Sequence, residues 1–204
     1  MSFRDVRSAD DVPDYVAGLE LRWPQRREVV RHICQQVSRV PYAAPHVVEL
    51  GSGSGILARA LLTEVPKLTY TGVDNSEPLQ AVAQKELASF GGRARLIRAD
   101  LNAADWPTFD YGSVHAVVSM QSLHDLGDES RVSRIYELAK GLLAPAGLFL
   151  NADLVLPPDQ PNPDHPGRCS VARHLQLLEA QSYLNVSCSL ELGEFGCCVG
   201  YVTS

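Results

Sequence analysis

A glycine-rich run, Gly51-Ser52-Gly53-Ser54-Gly55, follows the apolar stretch Val47-Val48-Glu49-Leu50, and a helix-length interval later Tyr70-Thr71-Gly72-Val73-Asp74 forms a second apolar run ending in an acid. Strand, glycine loop, helix, strand and acid in that order are the parts of a site for a ligand that carries a ribose. Glycines let the backbone turn sharply off a parallel strand and approach a ligand where a Cβ would clash, and an acid ending the next strand accepts from both ribose hydroxyls. The spacing separates two classes of ligand. A dinucleotide fingerprint, Gly-x-Gly-x-x-Gly, needs its third glycine at position 56, where this chain has Ile56 after Gly55. Taken singly, each feature also reads as an ordinary turn or strand end. Their order and spacing point to a cofactor.

The other group suited to chemistry is His124, in Gln121-Ser122-Leu123-His124-Asp125, just past a further strand-like run from Val114 to Ser119. An imidazole titrates near neutral pH, and Asp125 or Asp128 is near enough in sequence to orient it. Two roles stay open for His124, general base or pocket wall and helix cap. His165 and His174 are expected at the surface, and Tyr183 and Tyr201 in the packing.

The segment Glu49 to Gly55, with an acid two residues before the first glycine, resembles motif I of the class I S-adenosylmethionine-dependent methyltransferases, and the resemblance continues over roughly residues 40 to 204. It implies that Glu49, Gly51, Ser52, Gly53 and Gly55 lie beside the methionine part of that cofactor, that Asp74 holds the ribose, and that Asn75 and Ser76 border the adenine. The run Ala94 to Arg98 leads to Asp100 and Leu101, which the resemblance sets against the adenine amino group and ring. The run into Met120 to Asp125 resembles motif IV, so Ser119 and Gln121 border the reactive methyl. Enzymes of this kind that methylate exocyclic amines carry Asn-Pro-Pro-Tyr or Asp-Pro-Pro-Tyr there. This chain has Ser119-Met120-Gln121-Ser122, which argues against adenine or glutamine targets.

Elements that would position these groups alternate from residue 45 to about residue 153, the rhythm of a parallel sheet covered by helices on both faces. Helices are expected after Gly55, from Ser76 to Gly91-Gly92, and from Glu129 to Leu143, with Pro145-Ala146-Gly147 turning the last into a fifth strand, Leu148 to Asp153. A proline-rich run from Leu156 to Gly167 reads as loop, and Ser170 as the cap of a last helix. Two β-rich runs, Leu184 to Glu191 and Phe195 to Val202, are joined by three residues, which forces them antiparallel. The expected fold is a Rossmann-like three-layer α/β/α sandwich on a seven-stranded, mostly parallel sheet with a reversed last strand. It reads as one domain over residues 1–204, with 1–45 as an N-terminal helical lid segment and 46–204 as the sheet core. Pro24 is placed at the opening of a helix carrying Val29, Val30, Ile33 and Val37. Arg22 and Trp23 are candidates for closing on a carboxylate-bearing ligand, and the same helices could equally cap one sheet face.

The chain has 204 residues, is 45% hydrophobic and carries a formal net charge of −6, which suits one large core and disfavours a surface built for nucleic-acid phosphates. No apolar run is long enough to span a membrane, and the N-terminus lacks the apolar core of a signal peptide, so a cytoplasmic protein is expected. Five cysteines without Cys-x-x-Cys spacing suggest reduced, mostly buried thiols and no metal. S-adenosylmethionine is the expected cofactor and a small-molecule methyl acceptor the expected substrate. Two other readings remain open, a non-catalytic module that binds the cofactor to regulate a partner and a nicotinamide-dependent dehydrogenase. Oligomeric state is not addressed by these residues.

Overall fold

The structure is a computed structural model and describes residues 3–103, 109, 112–157, 160 and 166–203. Seven strands among these residues form one sheet: β1 (His46–Leu50), β2 (Thr69–Asp74), β3 (Ala94–Arg98), β4 (Val114–Met120), β5 (Leu143–Leu154), β6 (Leu184–Leu192) and β7 (Phe195–Tyr201). Their spatial order is β3-β2-β1-β4-β5-β7-β6. Strands β1 to β5 pair in parallel, while β7 runs antiparallel to both β5 and β6. The reversed β7 is the one expected from its short connection to β6, and it departs from the all-parallel sheet of a dinucleotide-binding dehydrogenase.

Period-two alternation sends successive strand residues to opposite faces. Val47 joins a core shared with Val29 and Ile33 of helix α2 (Arg26–Val37) and Leu57 and Leu61 of α3 (Ile56–Glu64). Its neighbours Val48 and Leu50 join the opposite core, with Val132, Ile135 and Tyr136 of α5 (Glu129–Leu142) and Leu177 and Leu178 of α6 (Val171–Ala180). A smaller cluster ties Val12 of α1 (Val12–Arg22) to Leu79 of α4 (Glu77–Glu86) and so holds the N-terminal helices over one end of the sheet. Among the described residues no helix is long and apolar enough to cross a membrane.

Helix starts follow local chemistry. The side chains of Ser76, Asp128 and Ser170 accept from the backbone N–H three residues on, opening α4, α5 and α6. Two boundaries differ from the sequence reading. Pro24 does not open α2. The residue before a proline is driven from the helical region, so Trp23 ends α1 at φ −131°, ψ 72°, Arg26 N–H donates to its carbonyl, and α2 begins only at Arg26. Pro145-Ala146-Gly147 lies within β5, where Ala146 adopts φ +57° and its N–H donates to the Thr203 carbonyl, so the chain kinks without leaving the sheet. Most of the proline-rich run, His165 included, lies outside the described residues.

Phe149 of β5 is fully buried, edge-on to Tyr136 at 4.9 Å and tilted against Tyr183 at 5.5 Å. Phe149→Ala is expected to destabilise the protein by about 3–5 kcal/mol in urea unfolding. A loss under about 1 kcal/mol would show that α5 and the sheet do not pack through this ring.

Candidate active site

The strand order reverses between β1 and β4, and the carboxyl ends of strands at such a switch point flank a crevice. Two adjoining cavities, about 310 and 150 Å³, lie there and share Tyr15, Gly51, Gly53, Leu79, Gln121 and Asp125 in their walls. The larger is bounded by the glycine loop, Glu49, Met120, His124 and the arginines Arg4, Arg22, Arg26 and Arg168. The smaller is bounded by Asp74, Asn75, Ala99, Asp100, Leu101 and Asn102.

The glycine loop is pinned to β2 by backbone bonds. The N–H groups of Gly51 and Ser52 both donate to the Val73 carbonyl, at 2.8 and 3.1 Å. Gly53 N–H donates to Asp74 Oδ2 and Ser76 N–H to Asp74 Oδ1, each at 2.8 Å. Gly53 takes φ +53°, and a Cβ built on it meets nothing within 4 Å. That space is the cavity itself. Gly51, by contrast, has no room, because a side chain there would strike the Ser122 hydroxyl.

Three carboxyl groups are shaped by burial. Burial pushes the Glu49 carboxyl up to about 8, although Tyr70 OH donates to its Oε2 at 2.7 Å and the nearby Arg26 charge pulls the other way. Burial also raises Asp74, partly offset by its backbone donors. Asp153, fully buried at the end of β5, behaves differently. Burial raises its pKa, but the His124 charge and hydrogen bond outweigh that and hold it below the usual carboxylate range. Asp153 Oδ1 lies 2.6 Å from His124 Nδ1, and Oδ2 accepts the His124 backbone N–H at 3.0 Å. One carboxylate thus holds both the ring and the backbone of His124. Its Nε2 stands 3.4 Å from Asp125 Oδ2.

A family profile described as "Methyltransferase domain" matches residues 47–147. A trans-aconitate 2-methyltransferase of Delftia acidovorans is 32% identical over 139 residues, covering 67% of this chain and 47% of its own. A demethylmenaquinone methyltransferase of Thermus thermophilus is 26% identical, covering 69% and 58%. In structure, an O-methyltransferase family protein from Burkholderia thailandensis superposes with a TM-score of 0.75 at 20% identity, over 99% of this chain and 62% of the other. The chain belongs to the class I S-adenosylmethionine-dependent methyltransferases. S-adenosylmethionine is the cofactor of this family, and human N-acetylserotonin methyltransferase, solved with it, shares the fold at a TM-score of 0.71 and 16% identity, over 97% of this chain and 57% of that one. The chain spans about half the length of the curated relatives it matches.

Within this methyltransferase fold, Glu49, Gly51, Ser52, Gly53, Asp74, Asn75, Asp100, Leu101, Gln121, Arg22, Trp23 and His124 all reach a cavity wall. Three residues expected there do not. The Ser119 hydroxyl is wholly buried and donates to the Leu50 carbonyl at 2.9 Å, joining β4 to β1. The Ser76 side chain caps α4, and Gly55 caps α3 with φ +85°, close against Ala83 and Leu87. Trp23 is buried and its indole N–H donates to Glu194 Oε1 at 3.2 Å, so it ties the α1–α2 turn to the β6–β7 hairpin and is not free to close. Arg22 is exposed and stacks on that ring at 5.0 Å. Asp128 caps α5 and does not orient His124. His174, expected at the surface, is buried with Nδ1 2.7 Å from Tyr136 OH.

Two residues carry more of the site than their sequence context suggests. Arg26 is buried and donates to Gln121 Oε1. The sequence signal is its place on the α2 stripe, where Arg26, Val29, Ile33 and Val37 recur at helical spacing with one cation among apolar side chains. Gln121 itself holds φ +53°, a conformation rare for a residue with a side chain, and its N–H donates to the Ala152 carbonyl at 2.8 Å. The second is Asp153, the acid that ends the apolar run of β5.

Asp125 and Asp153 raise the pKa of His124 above 6.5 against the effect of burial and of the Arg168 charge. That raised value stabilises the folded state fully below 6.5, and the contribution is lost as pH rises through the folded value. The lowered value of Asp153 acts in the opposite sense, stabilising above 3.8 and fading as pH falls through its folded value. The stability gap between wild type and Asp153→Asn is therefore expected to be widest between those limits and to narrow at alkaline pH, measured by urea unfolding from pH 4 to 9. A gap that grows steadily to pH 9 would mean that His124 is not charged in the pair.

Proposed function

We propose that the protein transfers the methyl group of S-adenosylmethionine to an oxygen or nitrogen of a small-molecule acceptor, with His124 as general base. The observation that carries this reading is His124, paired with the buried Asp153 and set in the wall of the same cavity as the glycine loop.

The residues suit the cofactor on three grounds. The open space at Gly53 admits a ligand against bare backbone. The Glu49 carboxyl, raised by burial, would be stabilised as a carboxylate by an approaching ammonium. Each Asp74 oxygen accepts one backbone N–H and keeps capacity for a ribose hydroxyl. In this reading Glu49, Gly51, Ser52 and Gly53 hold the methionine part, Asp74 the ribose, and Asn75, Asp100 and Leu101 the adenine.

When bound, the cofactor supplies a methyl carbon already activated by a sulfonium. The protein's part is then alignment, for which positioning contributes at best roughly 7–11 kcal/mol, and removal of the acceptor's proton, worth typically about 10²- to 10⁴-fold. Asp153 holds Nδ1 as the donor and leaves Nε2 as the basic nitrogen, in the manner of a carboxylate–histidine pair. Nε2 would take the proton of the acceptor's O–H or N–H as that atom displaces sulfur from the methyl carbon, the electron pair of the broken carbon–sulfur bond staying on sulfur. Asp125, at 3.4 Å, is a loose enough partner of Nε2 to yield to an acceptor. Arg26 and Gln121 brace the cavity between the loop and the end of β4. The named relatives act on trans-aconitate, demethylmenaquinone and ribosomal RNA, so their names do not select one acceptor. The formal charge of −6 and a cavity of about 310 Å³ favour a small molecule.

Asp74→Ala is expected to weaken S-adenosylmethionine binding more than tenfold in calorimetry, since it removes charge-assisted hydrogen bonds worth about 1.5–3 kcal/mol each. Gly53→Val is expected to abolish binding in a protein that still unfolds cooperatively. Unchanged affinity in both variants would overturn the cofactor assignment.

His124→Ala is expected to lower kcat by about 10²-fold or more with cofactor affinity unchanged, and the loss should shrink for an acceptor already deprotonated. The wild-type rate should rise with pH through the raised His124 value. A near-normal kcat in His124→Ala, with the acceptor KM raised instead, would make the residue a pocket wall. Cofactor binding without turnover of any acceptor would favour the regulatory module.

A further inference from the structure

The cavity that holds His124 is cationic, although the chain is acidic. Arg4, Arg22, Arg26 and Arg168 reach its wall against the carboxyl groups of Glu49 and Asp125, in a chain of formal net charge −6. Even that opposing charge is reduced. Burial pushes Glu49 up to about 8, so it is largely uncharged at neutral pH, and Asp125 is shared between Arg4 and His124 Nε2, each at 3.4 Å.

The arginines are not equivalent. Arg26 is committed to Gln121, and Arg22 is exposed and stacked on Trp23. Arg168 stands apart. The chain that leads into it turns back over His124 so closely that a side chain on Gly167 would press into the His124 carbonyl. The Arg168 side chain is 16% exposed, and the structure gives its guanidinium one carboxylate among the described residues, Glu194 Oε2 at 3.8 Å. Glu194 is itself 57% exposed, and its other oxygen already accepts the Trp23 indole N–H. The Arg168 Nε is buried without a hydrogen-bond partner among the described residues. A sheltered guanidinium held by one long, solvent-facing contact is poorly neutralised, and a closer anion would stabilise it. Its planar fork of donors matches a carboxylate in two parallel hydrogen bonds.

We propose that the acceptor is a small molecule bearing a carboxylate and that Arg168 binds this carboxylate beside His124. The proposal rests on reading this cavity as the methyl-transfer site. It divides the cavity: the glycine loop and Glu49 serve the cofactor, and the Arg168 side, carried by the segment after the proline-rich run, serves the acceptor. It makes Arg168 a specificity residue.

The test is calorimetry with succinate, glutarate and tricarballylate, each against its amide, on full-length protein saturated with S-adenosylhomocysteine. At least one acid is expected to bind wild type at least tenfold more tightly than its amide, and Arg168→Gln should weaken that acid at least tenfold, with Arg168→Lys in between. S-adenosylhomocysteine affinity should be equal in wild type and both variants, which also shows that they are folded. Acids binding no better than amides, or binding Arg168→Gln as they bind wild type, would overturn the proposal. A tenfold loss of S-adenosylhomocysteine affinity in Arg168→Gln with acid binding intact would assign Arg168 to the cofactor's own carboxylate and also overturn it. A wild-type protein that binds no S-adenosylhomocysteine would instead bring down the methyl-transfer reading, and this proposal with it.

Discussion

Parallel pairing of β1, β2, β3, β4 and β5 is the constraint on which the site depends. Parallel strands joined by helical crossovers deliver all their carboxyl ends to one edge, so Leu50, Asp74, Arg98, Met120 and Leu154 finish side by side. Everything chemical hangs from that edge: the glycine loop from β1, the Asp74 carboxylate from β2, Gln121 and His124 from β4, Asp153 from β5. The register is fixed by burial on both faces, because a one-residue slip would exchange the sets packed against α2 and α3 and against α5 and α6. The apolar cores therefore position the polar groups.

The buried polar groups fall into pairs with different purposes. Glu49 and Tyr70 face each other across β1 and β2 and leave a carboxyl whose charge is suppressed until a cation approaches. Asp153 and His124 each favour the charged form of the other against burial. Behind them Asn151 Nδ2 donates to Tyr136 OH, which meets His174 Nδ1, while Asn151 Oδ1 and His174 Nε2 have no partner among the described residues. That cluster sits between β5, α5 and α6, away from the cavities, and links the helix layer to the strand that carries Asp153. Buried polar groups of this kind cost stability unless satisfied, so their concentration along β5 marks the strand where packing yields to function.

Electrostatics then divide the crevice. Its smaller end is lined by Asp74, Asp100 and backbone, an environment of acceptors for hydroxyl and amine donors. Its larger end holds arginines and a histidine whose pKa is pulled down by burial and by Arg168, and up by Asp153 and Asp125, which prevail. In the proposed reading, an anion near Arg168 would offset one of the two influences that lower the His124 value, the other being burial.

Much of this was legible in the sequence, and the reason is local. A glycine loop, a serine or aspartate cap, a strand's alternation and a three-residue antiparallel connection are each written within a few residues, so the sheet, its reversed β7, the glycine loop and Asp74 follow from the chain alone. The partners of the functional groups do not. His124 and Asp153 are 29 positions apart and Arg26 and Gln121 are 95 apart, joined only because β4 lies beside β5 and α2 packs over the sheet. Sequence proximity suggested Asp125 or Asp128 for His124; Asp125 stands 3.4 Å from Nε2, but the Asp128 carboxylate is spent on the first turn of α5. Ser119 and Ser76 were misplaced for the same reason: an uncapped N–H and an unpaired carbonyl lay closer to their hydroxyls than any cavity did. Which side chain points into the crevice is decided by the competition of backbone groups for hydrogen bonds, and that competition exists only once the strands are in register.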